Sequence, residues 1–176
     1  ARLGDPSRFV VPRPLKGRPG CVLSFACLKT AVARAAEGLA ADKGALTDQD
    51  RADLAAGFQA AVGDVLADRA AAAIGAYEAG GAAGRRFVMA GGVAANQALR
   101  VRLEAVCTQY GYAFLAPPMR HCTDNAAMIA LAGALRLAAG GGNDLAAPAK
   151  ARWPLDEAAA LSAPTHVPGR KGAKAC

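Results

Sequence analysis

The period of the hydrophobic positions changes several times along this chain. Leu54, Phe58, Val62, Val65 and Leu66 recur at three- and four-residue spacing, which predicts a helix turning one face to a core. Thr47 with Asp50 three residues later forms a capping box at its start, filling backbone donors that the first turn leaves orphaned. Gly80-Gly81 ends it. An earlier helical pattern runs from about Leu28 to Lys43, and Cys21 to Phe25 before it is short and apolar enough for a strand. Beyond Gly81 the pattern alternates: a strand over Arg86 to Ala90, a helix over about Asn96 to Tyr110, and a strand over Tyr112 to Leu115. Pro117-Pro118 break the chain before a last helix, Asp124 to Ala139, closed by Gly140-Gly141-Gly142. Strands alternating with helices predict an α/β layer with parallel pairing.

The ends are less regular. Residues 1–20 carry Pro6, Pro12, Pro14 and Pro19 and read as an extended linker. After Pro148 only Asp156 to Leu161 has helical character. The domains expected are therefore a linker over 1–20, an α/β lobe over 21–147, and a C-terminal segment with a basic tail over 148–176.

Composition narrows the class. The chain has 176 residues, of which 53% are hydrophobic and only 5% aromatic, and alanine is frequent. Closely packed helices follow, because alanine loses no side-chain entropy in a helix. No apolar run reaches the roughly 20 residues needed to cross a bilayer. The five cysteines, at 21, 27, 107, 122 and 176, form no CxxC pair, which predicts reduced thiols in a cytoplasm. A formal charge of +7 suits a nucleic-acid or phosphate partner, and equally suits solvated basic ends.

Two short stretches carry candidate chemistry. In "RRFVMAGGVAANQALR" a strand meets Gly91-Gly92 and a helix opens at once. Glycine admits positive φ and lets a ligand approach the backbone, while the amides of a helix start favour an anion. Asn96 sits where its amide could reach that ligand. The same features also describe a tight strand-to-helix turn with an asparagine cap. In "MRHCTDNAAMIALAGAL" Asp124 follows His121, Cys122 and Thr123. These are metal-capable side chains, yet one irregular turn does not obviously converge three of them on an ion. Asp124 is at the same time a good helix cap.

Taken together, these stretches resemble the bacterial tRNA N6-adenosine threonylcarbamoyltransferases, the TsaD family, once labelled O-sialoglycoprotein endopeptidases. "DPSRFVVPRP" is similar to the family's linker, "LSFACLKTAV" to its FSGLKTAV segment and "DLAAGFQAAVGDVL" to its ASFQ-type helix. "VMAGGVAANQALRVRLE" matches its glycine loop, "CTDNAAMIALAG" its metal-aspartate helix and "ARWPLDE" its C-terminal end. The resemblance implies the actin-like, sugar-kinase-like fold, in which ribonuclease-H-like α/β lobes enclose an adenylate. Here it would be a helix-rich C-terminal half. The implied activity transfers a threonylcarbamoyl group from threonylcarbamoyl-adenylate to N6 of adenosine 37, in tRNAs that read codons starting with A. The implied residues are Gly91, Gly92 and Asn96 for the adenylate and Asp124 as one ligand of a divalent iron or zinc ion. The implied partners are tRNA and TsaB-type and TsaE-type subunits, in the cytoplasm and without a membrane.

The chain departs from the family pattern in places. The family's other metal ligands are two histidines in an HxxxH motif, which is absent here, and neither His121 nor His166 matches them. A glycine-rich substrate loop of the N-terminal lobe is absent too, so the chain looks like the C-terminal half alone. Ala26-Cys27 stands where the family has Ser-Gly, and Cys27 is expected to be a small buried filler. A non-catalytic relative that binds a nucleotide or a sister subunit is the alternative. A kinase of the same superfamily and a peptidase fit less well, since "CTDNAAMIA" is not a kinase motif and no hydrolytic constellation is present.

Overall fold

A computed structural model describes residues 1–142 together with Ala146 and Asp156. The helical stretch expected up to Leu161, His166 and the basic tail lie outside the described residues. The chain divides into two compact units, the first covering Ala1–Asp124 and the second beginning at Asn125.

The first unit is built around one long helix. Helix α1 spans Ala26–Lys43 and α2 spans Asp48–Ala79; strand β1 is Arg86–Val88. Helix α3 covers Gln97–Tyr110 and strand β2 Ala113–Leu115. The capping box at the start of α2 forms as expected: the Thr47 hydroxyl accepts from the Asp50 amide, and the Asp50 carboxylate accepts from the Thr47 amide. No residue between Ala56 and Ile74 is exposed. A helix covered on every side needs small residues where neighbours come closest, and α2 places Ala56, Gly57, Ala61 and Gly63 there.

Residues 1–20 form neither helix nor strand, and they lie as a strap along α2. The amide of Asp5 donates to Asp53 at 2.7 Å. The guanidinium of Arg8 forks between Asp53 and Asp50, 2.6 Å to each. Arg13 bonds Asp64 at 2.9 Å, the Gly17 amide bonds Asp68 at 3.1 Å, and Arg69 donates back to the Gly20 carbonyl at 2.7 Å. Asp50, Asp53, Asp64 and Asp68 are spaced by multiples of a helical turn, so one face of α2 receives the whole strap. Val11 anchors its middle in an apolar cluster with Leu28 and Ala61. A Cβ on Gly4 would stand 2.0 Å from the carbonyl oxygen of Ala52, so the strap can approach α2 this closely only at a glycine.

The opposite side of α2 meets the α/β layer. Ala70 packs with Met89, Ala94, Leu99, Leu103 and Cys122, and Ile74 with Cys107 and Tyr112. Strands β1 and β2 pair in parallel, with Arg86 opposite Ala113, Phe87 opposite Phe114 and Val88 opposite Leu115. The rings of Phe87 and Phe114 stack with centroids 6.3 Å apart. The α/β class and the parallel pair are as the sequence predicts. The strand expected over Cys21 to Phe25 does not form. A strand needs a neighbouring backbone to pair with, and here Phe25 instead packs against the Val11–Leu28–Ala61 cluster. Cys21, Cys107 and Cys122 are free, Cys21 exposed and the other two buried, and Cys27 is half-buried rather than fully buried as expected.

In the second unit, helix α4 spans Ala126–Ala138. It starts later than expected. Asn125 is its cap, accepting from the Met128 amide at 3.1 Å, and Asp124 lies outside the helix. No helix among the described residues is long and apolar enough to cross a membrane.

The strap sets the acid sensitivity of the first unit. Hydrogen bonds from Thr47, Lys43 and Arg8 hold the Asp50 carboxyl well below the usual carboxylate range despite its burial. Arg8 and the Asp5 amide do the same for Asp53. Both pKa values are lower in the folded chain than in the unfolded one, so their stabilisation is complete above the ordinary value of about 3.9 and fades as pH falls through and below it. Melting temperature should therefore fall steeply below roughly pH 4. Arg8→Met should lower it by several degrees at pH 7 and flatten its acid dependence. Thermal melts across pH 3–7 check both; equal melting temperatures at pH 7 would refute the role given to Arg8.

Candidate functional site

The glycine corner follows β1. Gly91 has φ +81° and ψ −174°, a conformation in which any side chain is strained, so glycine is required there by the backbone itself. Gly92 has no such constraint. A Cβ built on it meets nothing within 4 Å, so its surroundings are open. A 3₁₀ turn, Gly92–Ala95, follows, closed by the Ala94 amide on the Gly91 carbonyl at 3.0 Å. The tight turn fills the space between the glycines and α3, which begins at Gln97, as the helix expected from about Asn96 predicts.

Asn96 caps α3 and is held from two sides. Its side-chain oxygen accepts from the Leu99 amide at 3.2 Å, and its amide nitrogen donates to the Gln59 carbonyl oxygen of α2 at 3.1 Å. An asparagine amide has two N–H donors. One is used by Gln59, and the rigid mount leaves the group half-exposed.

Asn96 borders two concavities in the first unit. One, of about 830 Å³, is lined by Gly92 and Val93, by Leu23, Phe25 and Lys29, and by apolar residues of α2, β1 and α3. Among the described residues Lys29 is the charged side chain on its walls. The other, of about 780 Å³, has Arg2, Gln59, Gln97 and Met119 around it. An apolar wall with a cation and a fixed amide is suited to a ligand with a flat, weakly polar body and an anionic group.

The route to Asp124 runs through Pro117-Pro118 and a second 3₁₀ turn, Met119–His121. Arg100, on α3, donates from Nη2 to the Pro117 carbonyl at 2.6 Å and to the Cys122 sulfur at 3.0 Å, and its Nε donates to the Ala94 carbonyl of the glycine corner. Asp124 follows two residues after Cys122 and is exposed. His121 accepts from Arg120 through Nε2 at 3.0 Å. Cys122 is 2% exposed and packs in the core, so it does not join a metal site with its neighbours. Among the described residues no three His, Cys, Asp or Glu side chains gather where they could hold an ion. Asp124 fits as a single ligand that needs others from elsewhere.

Gly91, Gly92 and Asn96 therefore share one corner, and Arg100 ties that corner to the turn that leads to Asp124. Sequence reasoning missed Lys29, Gln59 and Arg100. Each is ordinary in the sequence, on a helix and outside any short motif, and only their convergence makes them notable.

A family model described as tRNA N6-adenosine threonylcarbamoyltransferase matches residues 1–131. Curated relatives bearing that same name agree with the chain over nearly its whole length. A protein of Cereibacter sphaeroides is 55% identical over 176 residues, 99% of this chain and 47% of its own. One of Caulobacter vibrioides is 55% identical over 173 residues, 98% and 46% respectively. One of Ruegeria pomeroyi is 53% identical over 176 residues, 99% and 47%. The chain thus spans about half the length of these relatives. A match that runs through both the glycine corner and the Asp124 turn leads to one conclusion: the chain belongs to the tRNA N6-adenosine threonylcarbamoyltransferase family.

Proposed function

We propose that this chain is the C-terminal portion of an enzyme that transfers a threonylcarbamoyl group from threonylcarbamoyl-adenylate to N6 of adenosine in tRNA. Its fold would be the C-terminal, actin-like lobe, with residues 1–20 leading from a preceding lobe, and it would work in the cytoplasm with TsaB-type and TsaE-type subunits. The observation that carries this reading is the mount of Asn96: a fixed amide beside an open Gly92, at a helix start, in a family named for this reaction.

The chemistry required suits the corner. The tRNA amine attacks the carbamoyl carbonyl carbon, the bond from that carbon to the phosphate oxygen breaks, AMP departs as the anion, and the amine loses its proton. Backbone amides at a helix start and a bare glycine accommodate the departing phosphate without a side chain in the way. Asn96 would hold the nucleotide, and Lys29 or Arg2 would supply the positive charge that the anion needs. Asp124 would give one ligand to a divalent iron or zinc ion, whose remaining ligands come from the preceding portion; bound there, the ion would polarise the carbonyl.

A second reading keeps the binding and drops the catalysis. The absence of three convergent ligands among the described residues favours it for the chain by itself. Joining the chain to the N-terminal portion of the Cereibacter sphaeroides relative, and assaying tRNA modification with the partner subunits, separates the two. Modified adenosine is expected; nucleotide binding without any modification would favour the second reading.

Four substitutions test the residues. Asn96→Ser keeps a cap for α3 but removes the amide donor. It should weaken AMP binding about tenfold, the loss of roughly 1.4 kcal/mol expected for one hydrogen bond to a charged or polar ligand group, and unchanged affinity by calorimetry would remove Asn96 from the site. Gly91→Ala should destabilise the fold by about 1 kcal/mol through its positive φ, while Gly92→Ala should leave the melting temperature alone and still weaken AMP binding. A Gly92→Ala protein that binds AMP normally would show that nothing approaches the corner there. Asp124→Ala should lower metal content in the joined protein without the helix-capping loss, because Asn125 caps α4; full metal occupancy would refute the ligand role.

A further inference from the structure

We infer that Arg100 is a positioning residue that holds the glycine corner and the turn before Asp124 as one body; this rests on the reading of Asn96 and Asp124 given above. Three acceptors converge on its guanidinium from two chain segments. They are the carbonyl of Ala94 in the first 3₁₀ turn, the carbonyl of Pro117, and the sulfur of Cys122 just past the second 3₁₀ turn. The Arg100 backbone is itself bonded to the corner, its amide donating to the Asn96 carbonyl at 3.0 Å.

Arg100 adds to what the second turn supplies for itself: the Pro118 carbonyl accepts from the His121 amide at 2.9 Å, and the Cys122 thiol lies 3.5 Å from the Pro117 and Pro118 carbonyls. Ala94 is fully buried and Cys122 nearly so, which limits the access of water to those two acceptors. A guanidinium has five N–H groups in a fixed plane and can serve both segments at once, whereas an ammonium is a point donor that serves one well. Among the described residues Arg100 pairs with no carboxylate, so its bonds all go to these neutral acceptors. Its guanidinium thus ties the two turns to each other, beside the backbone hydrogen bonds that close each turn internally.

The functional consequence is alignment. If Asn96 holds the adenylate and Asp124 the ion that acts on its carbonyl, their separation must be kept to a fraction of an ångström, since a misplacement of about 1 Å can cost on the order of a hundredfold in rate. Asn96 lies two positions from the Ala94 contact and Asp124 two from the Cys122 contact. No other side chain described bonds both segments.

Amide hydrogen exchange by mass spectrometry on the 176-residue chain, with AMP calorimetry alongside, tests this with Arg100→Lys and Arg100→Met. Arg100→Lys keeps the charge and loses the fork. Both folded variants should exchange faster at 91–96 and at 116–124 together, by about tenfold or more, as local opening of a shared unit requires. Exchange that rises in only one segment, or in neither, overturns the inference. In the joined protein, Arg100→Lys should lower kcat for tRNA modification more than it raises KM for tRNA; a purely structural lesion would instead reduce the active fraction and leave the KM and the pH profile of the remainder unchanged. If Arg100→Met does not fold, the folded Arg100→Lys protein decides, and wild-type exchange and kcat in that protein would overturn the role. Failure of the wild-type chain to bind AMP would count against the adenylate reading, while the exchange pattern would still decide the clamp.

Discussion

A helix that has no face left for water sets the terms for the first unit. None of the nineteen consecutive positions of α2 from Ala56 to Ile74 is exposed, with α1 and α3 packed against the helix. Burying that length of helix requires partners for its acids as well as its apolar residues. Asp50 and Asp53, 1% and 2% exposed, are tolerable because Arg8 forks between them and because Thr47 and Lys43 bond the first and the Asp5 amide and Gln49 the second. Remove that arginine and two carboxylates are left under-partnered in the interior. The strap, the capping box and the N-terminal half of α2 are in this sense one object.

The same economy recurs at the candidate site. Arg8 and Arg100 do parallel work with different acceptors: one binds carboxylates to seat a strap, the other binds carbonyls and a sulfur to seat two turns. In both cases the planar fork joins segments that are far apart in the chain, 42 and 45 residues for Arg8 and 22 for Arg100 to Cys122. The glycine corner is then fixed from below by Gln59 through Asn96 and from the side by Arg100. What stays open is Gly92. A rigid rim around one bare backbone position is the arrangement expected where a ligand rather than a side chain fills the space.

Half of a longer relative can keep this much order because its contacts are mostly internal to the unit: strap to α2, α2 to α3, α3 to the strands.

The sequence alone determined the elements and their order. Helical spacing found α1, α2 and α3, the Thr47–Asp50 pair placed the start of α2 to the residue, and alternation found the parallel strands. These signals are local, each read within a window of a few turns. It also supplied Gly91, Gly92, Asn96 and Asp124 as candidates, since glycine pairs and caps have local meaning. Tertiary structure alone decided the rest: that residues 1–20 are bound along α2, that Cys21 to Phe25 finds no strand partner, that Asn125 and not Asp124 caps α4, and that Lys29, Gln59 and Arg100 meet around Asn96. Each of these depends on which groups lie opposite one another after folding. A proline-rich stretch looks like a tether until the acids of a distant helix are seen to match its arginines, and an arginine in mid-helix looks like surface until the acceptors of two turns arrive beside it.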